Sequence, residues 1–228
     1  MRKFIELQNI SKSYLEAGQR HWVLRDVEQS FAEGEIVVLL GRSGSGKSTL
    51  LNLLAGIDLP DEGEIRVGGR AINRLSELER TLYRRRVGFV FQFFNLVPTL
   101  TVEENLLLPL ELAHGKATRD DRRRAVELLA RVGLENRRGT FPDRLSGGEQ
   151  QRIAVVRALI HQPELLLADE PTGNLDREIG HDVLRLLERL CRDAGRTLIM
   201  ATHSREAAHI ADRVFQIENQ RLVEAPSS

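Results

Sequence analysis

Five apolar residues, Ile36-Val37-Val38-Leu39-Leu40, run straight into Gly41-Arg42-Ser43-Gly44-Ser45-Gly46-Lys47-Ser48. This junction constrains the fold more than any other part of the chain. An unbroken apolar run of that length is a strand buried on both faces. The segment after it meets G-x-x-x-x-G-K-[ST] at every fixed position, and Thr49-Leu50-Leu51-Asn52-Leu53-Leu54 continues as a helix. Strand, glycine-rich loop and helix are the context that a phosphate-cradling loop requires. The glycines let successive backbone N–H groups turn inward toward an anion, and the helix start adds partial positive charge. In such a loop Lys47 reaches the β- and γ-phosphates of a nucleotide, and the Ser48 hydroxyl ligates Mg²⁺.

Around this junction, strands alternate with helices, the pattern of an α/β protein with a largely parallel sheet. Strands are expected at Phe4–Ile10, Val23–Phe31, Glu64–Val67, Val87–Phe91, Leu165–Ala168 and Thr197–Ala201. From Phe93 to Arg157 helical signals replace them. Ser76-x-x-Glu79 and Thr101-x-x-Glu104 read as capping boxes. Asp120–Val132 is a charged helix ending at Gly133, and Ile179, Val183, Leu187 and Leu190 share one helical face. The expected organisation is one P-loop α/β core (1–92 and 158–224) with an antiparallel β portion at its N-terminus. A helical subdomain (93–157) is inserted, and the tail 225–228 is frayed.

Two further segments carry chemistry. Leu165-Leu166-Leu167-Ala168-Asp169-Glu170 is a buried strand ending in two acids, and ligands of parallel sheets sit at strand carboxyl ends. Asp169 is placed to hold Mg²⁺, and Glu170 to act as general base or to orient an attacking water. Leu145-Ser146-Gly147-Gly148-Glu149-Gln150-Gln151-Arg152 opens a helix with a third capping box. Its two glycines occupy positions where each costs up to about 1 kcal/mol against Ala. Exposed N–H groups closely approached by a bulky anion would account for them, making Ser146, Gly147 and Gly148 a second anion site.

These motifs together resemble the nucleotide-binding subunit of an ABC transporter, over essentially the whole chain. Leu145–Arg152 is similar to the family's signature motif, Gly41–Thr49 to its Walker A and Leu165–Glu170 to its Walker B. Gln92 corresponds to the Q-loop glutamine, Gly173-Asn174-Leu175-Asp176 to the D-loop, His203 to the switch histidine and Tyr14 to the aromatic that stacks on adenine. The resemblance implies ATP and Mg²⁺ as cofactors, with Ser48, Gln92 and Asp169 around the metal. It implies catalytic roles for Glu170, His203 and Gln92, and dimer coupling through Asp176. It further implies a head-to-tail pair, with ATP between Gly41–Thr49 of one subunit and Ser146, Gly147 and Gly148 of the other. Membrane permease subunits near Gln92 would hold the chain at the cytoplasmic face of the membrane. Ala168–Asp176 and Phe91-Gln92-Phe93-Phe94-Asn95-Leu96 resemble the lipoprotein-release and macrolide-export ATPases. Two departures stand out: Ser204 follows His203 where Asp is usual, and Val155-Val156-Arg157 replaces the common Ile-Ala-Arg.

Composition narrows the alternatives. Lys+Arg and Asp+Glu are 33 each in 228 residues, which argues against nucleic-acid binding through bulk charge. An ABC-type ATPase acting on DNA would need coiled-coil arms, a zinc module or tandem ATPase domains; this chain has one cysteine and one P-loop. An ATPase driving a membrane regulator that moves no substrate, as in cell division, shares every motif found here. No apolar run approaches the ~18 residues of a membrane span, and the N-terminus does not read as a secretory signal. Cys191 reads as a small core hydrophobe, and Arg84–Arg86 and Arg122–Arg124 as solvated faces.

Overall fold

The computed structural model describes residues 2–225. Two long strands, β1 (Lys3–Glu16) and β2 (Gln19–Ala32), form a hairpin closed by Ala17 and Gly18, both at positive φ. They continue into an antiparallel sheet, β2-β1-β4-β5, with β4 at Glu62–Val67 and β5 at Arg70–Ala71. The second sheet contains β3 (Ile36–Leu40), β6 (Val87–Val90), β7 (Leu165–Asp169), β8 (Thr197–Thr202), β9 (Arg213–Glu218) and β10 (Arg221–Glu224). Its order is β10-β9-β3-β8-β7-β6, and every pairing is parallel except β9–β10.

Helices α1 (Lys47–Leu54) and α2 (Glu77–Arg84) follow β3 and β5. Between β6 and β7 lie only helices: α3 (Val102–His114), α4 (Arg119–Arg131), two short 3₁₀ turns and α5 (Gly147–Leu159). α6 (Arg177–Ala194) joins β7 to β8. The capping boxes at Ser76, Thr101 and Ser146 form as expected, and Thr118 with Asp121 adds another at the start of α4.

Alternation along β3 divides the interior. Val37 and Leu39 face a core shared with α1 and the antiparallel sheet, whereas Ile36 and Val38 face a core built from α3, α4, α5 and α6. Phe31 of β2 meets Phe215 of β9 edge to face, 5.4 Å between centroids, and ties the two sheets together. Cys191 is fully buried in α6, and burial pushes its thiol pKa up to about 12, as expected of a small core side chain.

The expected strands all form, with longer boundaries for β1 and β2, while β6 stops at Val90, one residue short of the expected Phe91. The hairpin β9–β10 has no counterpart in the sequence reading. Its turn places Asn219 and Gln220 at φ 48° and 68°, and glutamine gives no turn signal. Of the tail, 226–228 lie outside the described residues, while the Ala225 N–H donates to the Val214 carbonyl at 2.8 Å and so is tied down. Arg84 closes α2, but Arg85 and Arg86 fall in the turn beyond it. Arg84 and Arg86 pair with Glu77 and Glu164, Arg122 with Glu103, and Arg123 with Asp120.

The loop from β6 to α3 is organised by one buried amide. Asn105 accepts from the Val97 N–H at 2.8 Å, and its Nδ2 lies 3.0 Å from the carbonyls of Val97, Leu100 and Thr101. Asn105 is fully buried. Replacing it by alanine strands these backbone groups, and Asn105→Ala should cost about 1–3 kcal/mol, read from the urea-unfolding midpoint. An unchanged midpoint would mean that water or a shifted loop satisfies them.

Candidate functional site

The sheet order brings separate sequence segments side by side. β3, β8, β7 and β6 are adjacent and parallel. Their carboxyl ends therefore present Gly41–Ser48, His203, Asp169 with Glu170, and Gln92 along one edge, where parallel sheets bind ligands.

The loop between β3 and α1 wraps around the Lys47 ammonium. Lys47 is buried and donates to the carbonyls of Gly41 (2.8 Å) and Arg42 (3.0 Å). Gly46 has φ 102°, and a Cβ there would lie 2.8 Å from Val23 Cγ1 and 3.2 Å from the Val23 carbonyl. Only glycine fits the turn that starts α1. β2 thus shapes the loop from outside, a contact that the motif by itself does not reveal.

At the end of β7, burial raises the pKa of Asp169, and the nearby Ser48 hydroxyl and Lys47 ammonium oppose the rise. Asp169 Oδ1 is buried without a hydrogen-bond partner. An orphaned carboxylate oxygen beside a serine hydroxyl suits a hard cation that keeps few protein ligands.

Glu170 adopts φ 46°, in the left-handed region, while its N–H donates to the Ala201 carbonyl at 2.8 Å. Strain of this kind concentrates at functional positions. Its Oε2 accepts from the Thr202 hydroxyl (3.1 Å) and the His203 N–H (3.3 Å), and lies 2.9 Å from His203 Nδ1. The two residues expected to act on a reacting phosphate therefore touch each other. Thr202 was missed by sequence reasoning because a hydroxyl at the end of a buried strand carries no signal of its partner. The Ser204 side chain makes no capping hydrogen bond to the short helix that follows it.

Gln92 faces the loop after Glu170. Its Nε2 lies 3.2 Å from Asn174 Oδ1, Asn174 Nδ2 donates to the Gln92 carbonyl at 3.0 Å, and a Cβ on Gly173 would lie 2.8 Å from Gln92 Nε2. The buried Gln151 reaches from α5 to the carbonyls of Pro171 (2.5 Å) and Phe91 (3.4 Å). It locks the start of α5 onto the ends of β6 and β7. A glutamine in the second turn of a helix gives no warning of that role.

The segment Ser146-Gly147-Gly148 opens α5, and its glycines have different causes. A Cβ on Gly148 would lie 2.6 Å from Ile179 Cγ2 of α6. Helix packing is thus a reason for glycine at 148 that the sequence does not reveal. At Gly147 the nearest atoms, Leu175 Cδ2 and Phe94 Cζ, are 3.4 and 3.6 Å from such a Cβ, so packing within the subunit leaves room for a side chain. Asp176 caps α6, accepting from the Ile179 N–H at 3.0 Å. Tyr14 is exposed on β1, with its hydroxyl donating to Asp58 Oδ2 at 2.8 Å. On β2, the Trp22 ring lies beside Arg20 and Arg25.

The family profile described as "ABC transporter" matches residues 24–173. The chain belongs to the ABC transporter family. It is an ATP-binding subunit of that family, and an ATPase. An uncharacterised ABC transporter ATP-binding protein of Mycobacterium tuberculosis is 53% identical to this chain, covering 97% of it and 89% of that protein. The lipoprotein-releasing system ATP-binding protein LolD of Pseudomonas syringae pv. tomato is 43% identical over 97% of both chains, in keeping with the lipoprotein-release resemblance. Among solved structures, the dimeric post-hydrolysis state of the ATP-binding cassette MJ0796, bound to ADP and Pi, matches with a TM-score of 0.87 and 38% identity, covering 97% of each chain.

The packing at Gly148 is open to test. Gly148→Ala should destabilise the subunit by about 1–3 kcal/mol. Combined with Ile179→Ala, it should be at least about 1 kcal/mol more stable than the two separate losses add to. Strict additivity in urea unfolding would remove Ile179 as the reason for glycine.

Proposed function

We propose that this chain powers a membrane permease by hydrolysing MgATP as one of a head-to-tail pair. The observation that carries the reading is Glu170: a left-handed, partly buried carboxylate held by Thr202 and His203 on the strand edge that also bears the phosphate loop.

Lys47 now satisfies two loop carbonyls. It would exchange them for the β- and γ-phosphates, where a charge-assisted bond is stronger. Ser48 and Asp169 would hold Mg²⁺, with Gln92 completing that side. The ion, when bound, offsets the negative charge of the β- and γ-phosphates. Glu170 would orient the attacking water and accept its proton, and His203, already 2.9 Å from Glu170, would donate to the γ-phosphate. Arg42, Ser43, Gly44 and Ser45 would turn backbone N–H groups toward the phosphates, and Tyr14 would stack on adenine.

The second half of the site comes from the partner subunit. Gly147 is half-exposed and lacks a side chain although its own subunit leaves space for one. That supports a close backbone approach by the γ-phosphate of the other subunit, with Ser146 and Gly148 beside it. Asp176, at the start of α6, would carry closure between subunits. Among the described residues no helix is long and apolar enough to cross a membrane, so the permease subunits would hold the chain at the cytoplasmic face. The bond between Gln92 and Asn174 would pass closure to them. An export or lipoprotein-release system is the transport class that the motifs favour.

Glu170→Gln keeps the shape and removes the charge. Hydrolysis should fall at least about 100-fold, while ATP binding persists and closed dimers accumulate in sedimentation with Mg²⁺. Near-normal hydrolysis would reduce Glu170 to a structural acid.

The pairing has its own test. Gly147→Asp sets a carboxylate against the incoming phosphate, and Lys47→Ala empties the phosphate loop of its cation. Each protein alone should be inactive. Mixed dimers hold one site with both lesions and one with neither, so activity should return on mixing. A fully active Gly147→Asp protein would end the sandwich mechanism for this chain.

A further inference from the structure

Lys12 is a buried cation with its own acid. Its side chain is 10% exposed, and Nζ donates to Asp58 Oδ1 at 2.7 Å and to the Leu59 carbonyl at 2.8 Å. A buried ammonium requires such partners. The other oxygen of the same carboxylate, Oδ2, receives the Tyr14 hydroxyl at 2.8 Å. Lys12 Nζ also lies 5.0 Å from the centroid of the Tyr14 ring, within cation–π range.

Asp58 belongs to the segment that leaves α1, the helix begun by the phosphate loop. Its own N–H donates to the Asn52 carbonyl of α1 at 3.2 Å. The carboxylate therefore joins two elements: α1, which follows the phosphate loop, and β1, which carries Tyr14. The neighbouring acid strengthens the same junction. Asp61 accepts from the Ser13 N–H (2.9 Å) and hydroxyl (2.5 Å), and its N–H donates to the Ser11 carbonyl (2.9 Å).

We infer that Asp58, clamped by Lys12, is a positioning residue for nucleotide affinity: it holds the Tyr14 ring at a fixed span from the phosphate loop, so that base and triphosphate are engaged together. The inference rests on the reading of Tyr14 as the base platform. An exposed aromatic on an unclamped strand pays rotamer and backbone ordering when the ligand arrives. Here that ordering is built in before binding. Lys12 and Asp58 belong neither to the phosphate loop nor to the acidic end of β7, and they act only through Tyr14.

The consequence is specific to the base. Asp58→Ala frees the phenol and leaves Lys12 without its carboxylate, so MgATP should bind at least about fivefold more weakly, a fraction of what base stacking contributes. Inorganic tripolyphosphate, which has the phosphates and no base, should bind within twofold of wild type. It also reports that the variant's phosphate loop is folded. Tyr14→Phe keeps the ring and loses only the hydroxyl, and it should shift the same way by a smaller factor. Equilibrium titration of both ligands, with KM and kcat for ATP, reads the outcome: KM should rise and kcat should stay.

If Asp58→Ala weakens both ligands equally, the carboxylate supports the loop and not the base, and the inference falls. It falls as well if Asp58→Ala leaves ATP affinity unchanged while Tyr14→Ala weakens it. If Tyr14→Ala itself leaves ATP affinity unchanged, the platform reading fails, and the clamp with it.

Discussion

The parallel ladder joining β3, β8, β7 and β6 is the constraint on which the site depends. Leu40 pairs with Thr202, Asp169 with Ala201 and Val90 with Ala168. That register ends the four strands at one level. A slip of one residue along any of them would turn every side chain to the other face of the sheet. Ile36 and Val38 would then exchange cores with Val37 and Leu39. The apolar demand of two cores thus fixes where Glu170, His203 and the phosphate loop stand relative to one another.

Charge is managed locally around that edge. Lys47 is hydrogen-bonded by its own loop carbonyls, Lys12 is paired with Asp58, and Asp169 is left with an orphaned oxygen. The first is a reversible arrangement that a phosphate can displace, and the third is an incomplete one that a cation would complete. The Lys12 pair is closed. A buried pair of this kind adds little net stability, and its consequence here is geometric, because it fixes where Tyr14 stands.

The two helical faces of α5 have separate duties. Gln151 and the apolar side chains Ile153, Val155 and Val156 bind it to the sheet. Its first turn leaves Gly147 half-exposed, next to Leu175 and Phe94. The core that contains α3, α4 and α5 is continuous with one face of the parallel sheet. The start of α5 is therefore tied by packing and by Gln151 to the ends of β6 and β7.

Residue type and short spacing suffice for the elements that local chemistry dictates. The buried strand and loop at Ile36–Ser48, the acids at the end of β7, the capping boxes and the buried face of α6 all follow from residue type and short spacing. The sequence also offered candidate site residues along the chain, through a motif order similar to that of a known family. Only the tertiary structure decided contacts across long separations. It showed that Glu170 and His203 share a hydrogen bond, that Val23 shapes the phosphate loop and that Ile179 demands glycine at position 148. It also showed that Asp58 holds both Lys12 and Tyr14. The physical reason is range: capping, turns and alternation are written within a few residues, whereas these contacts exist only once strands distant in sequence lie side by side.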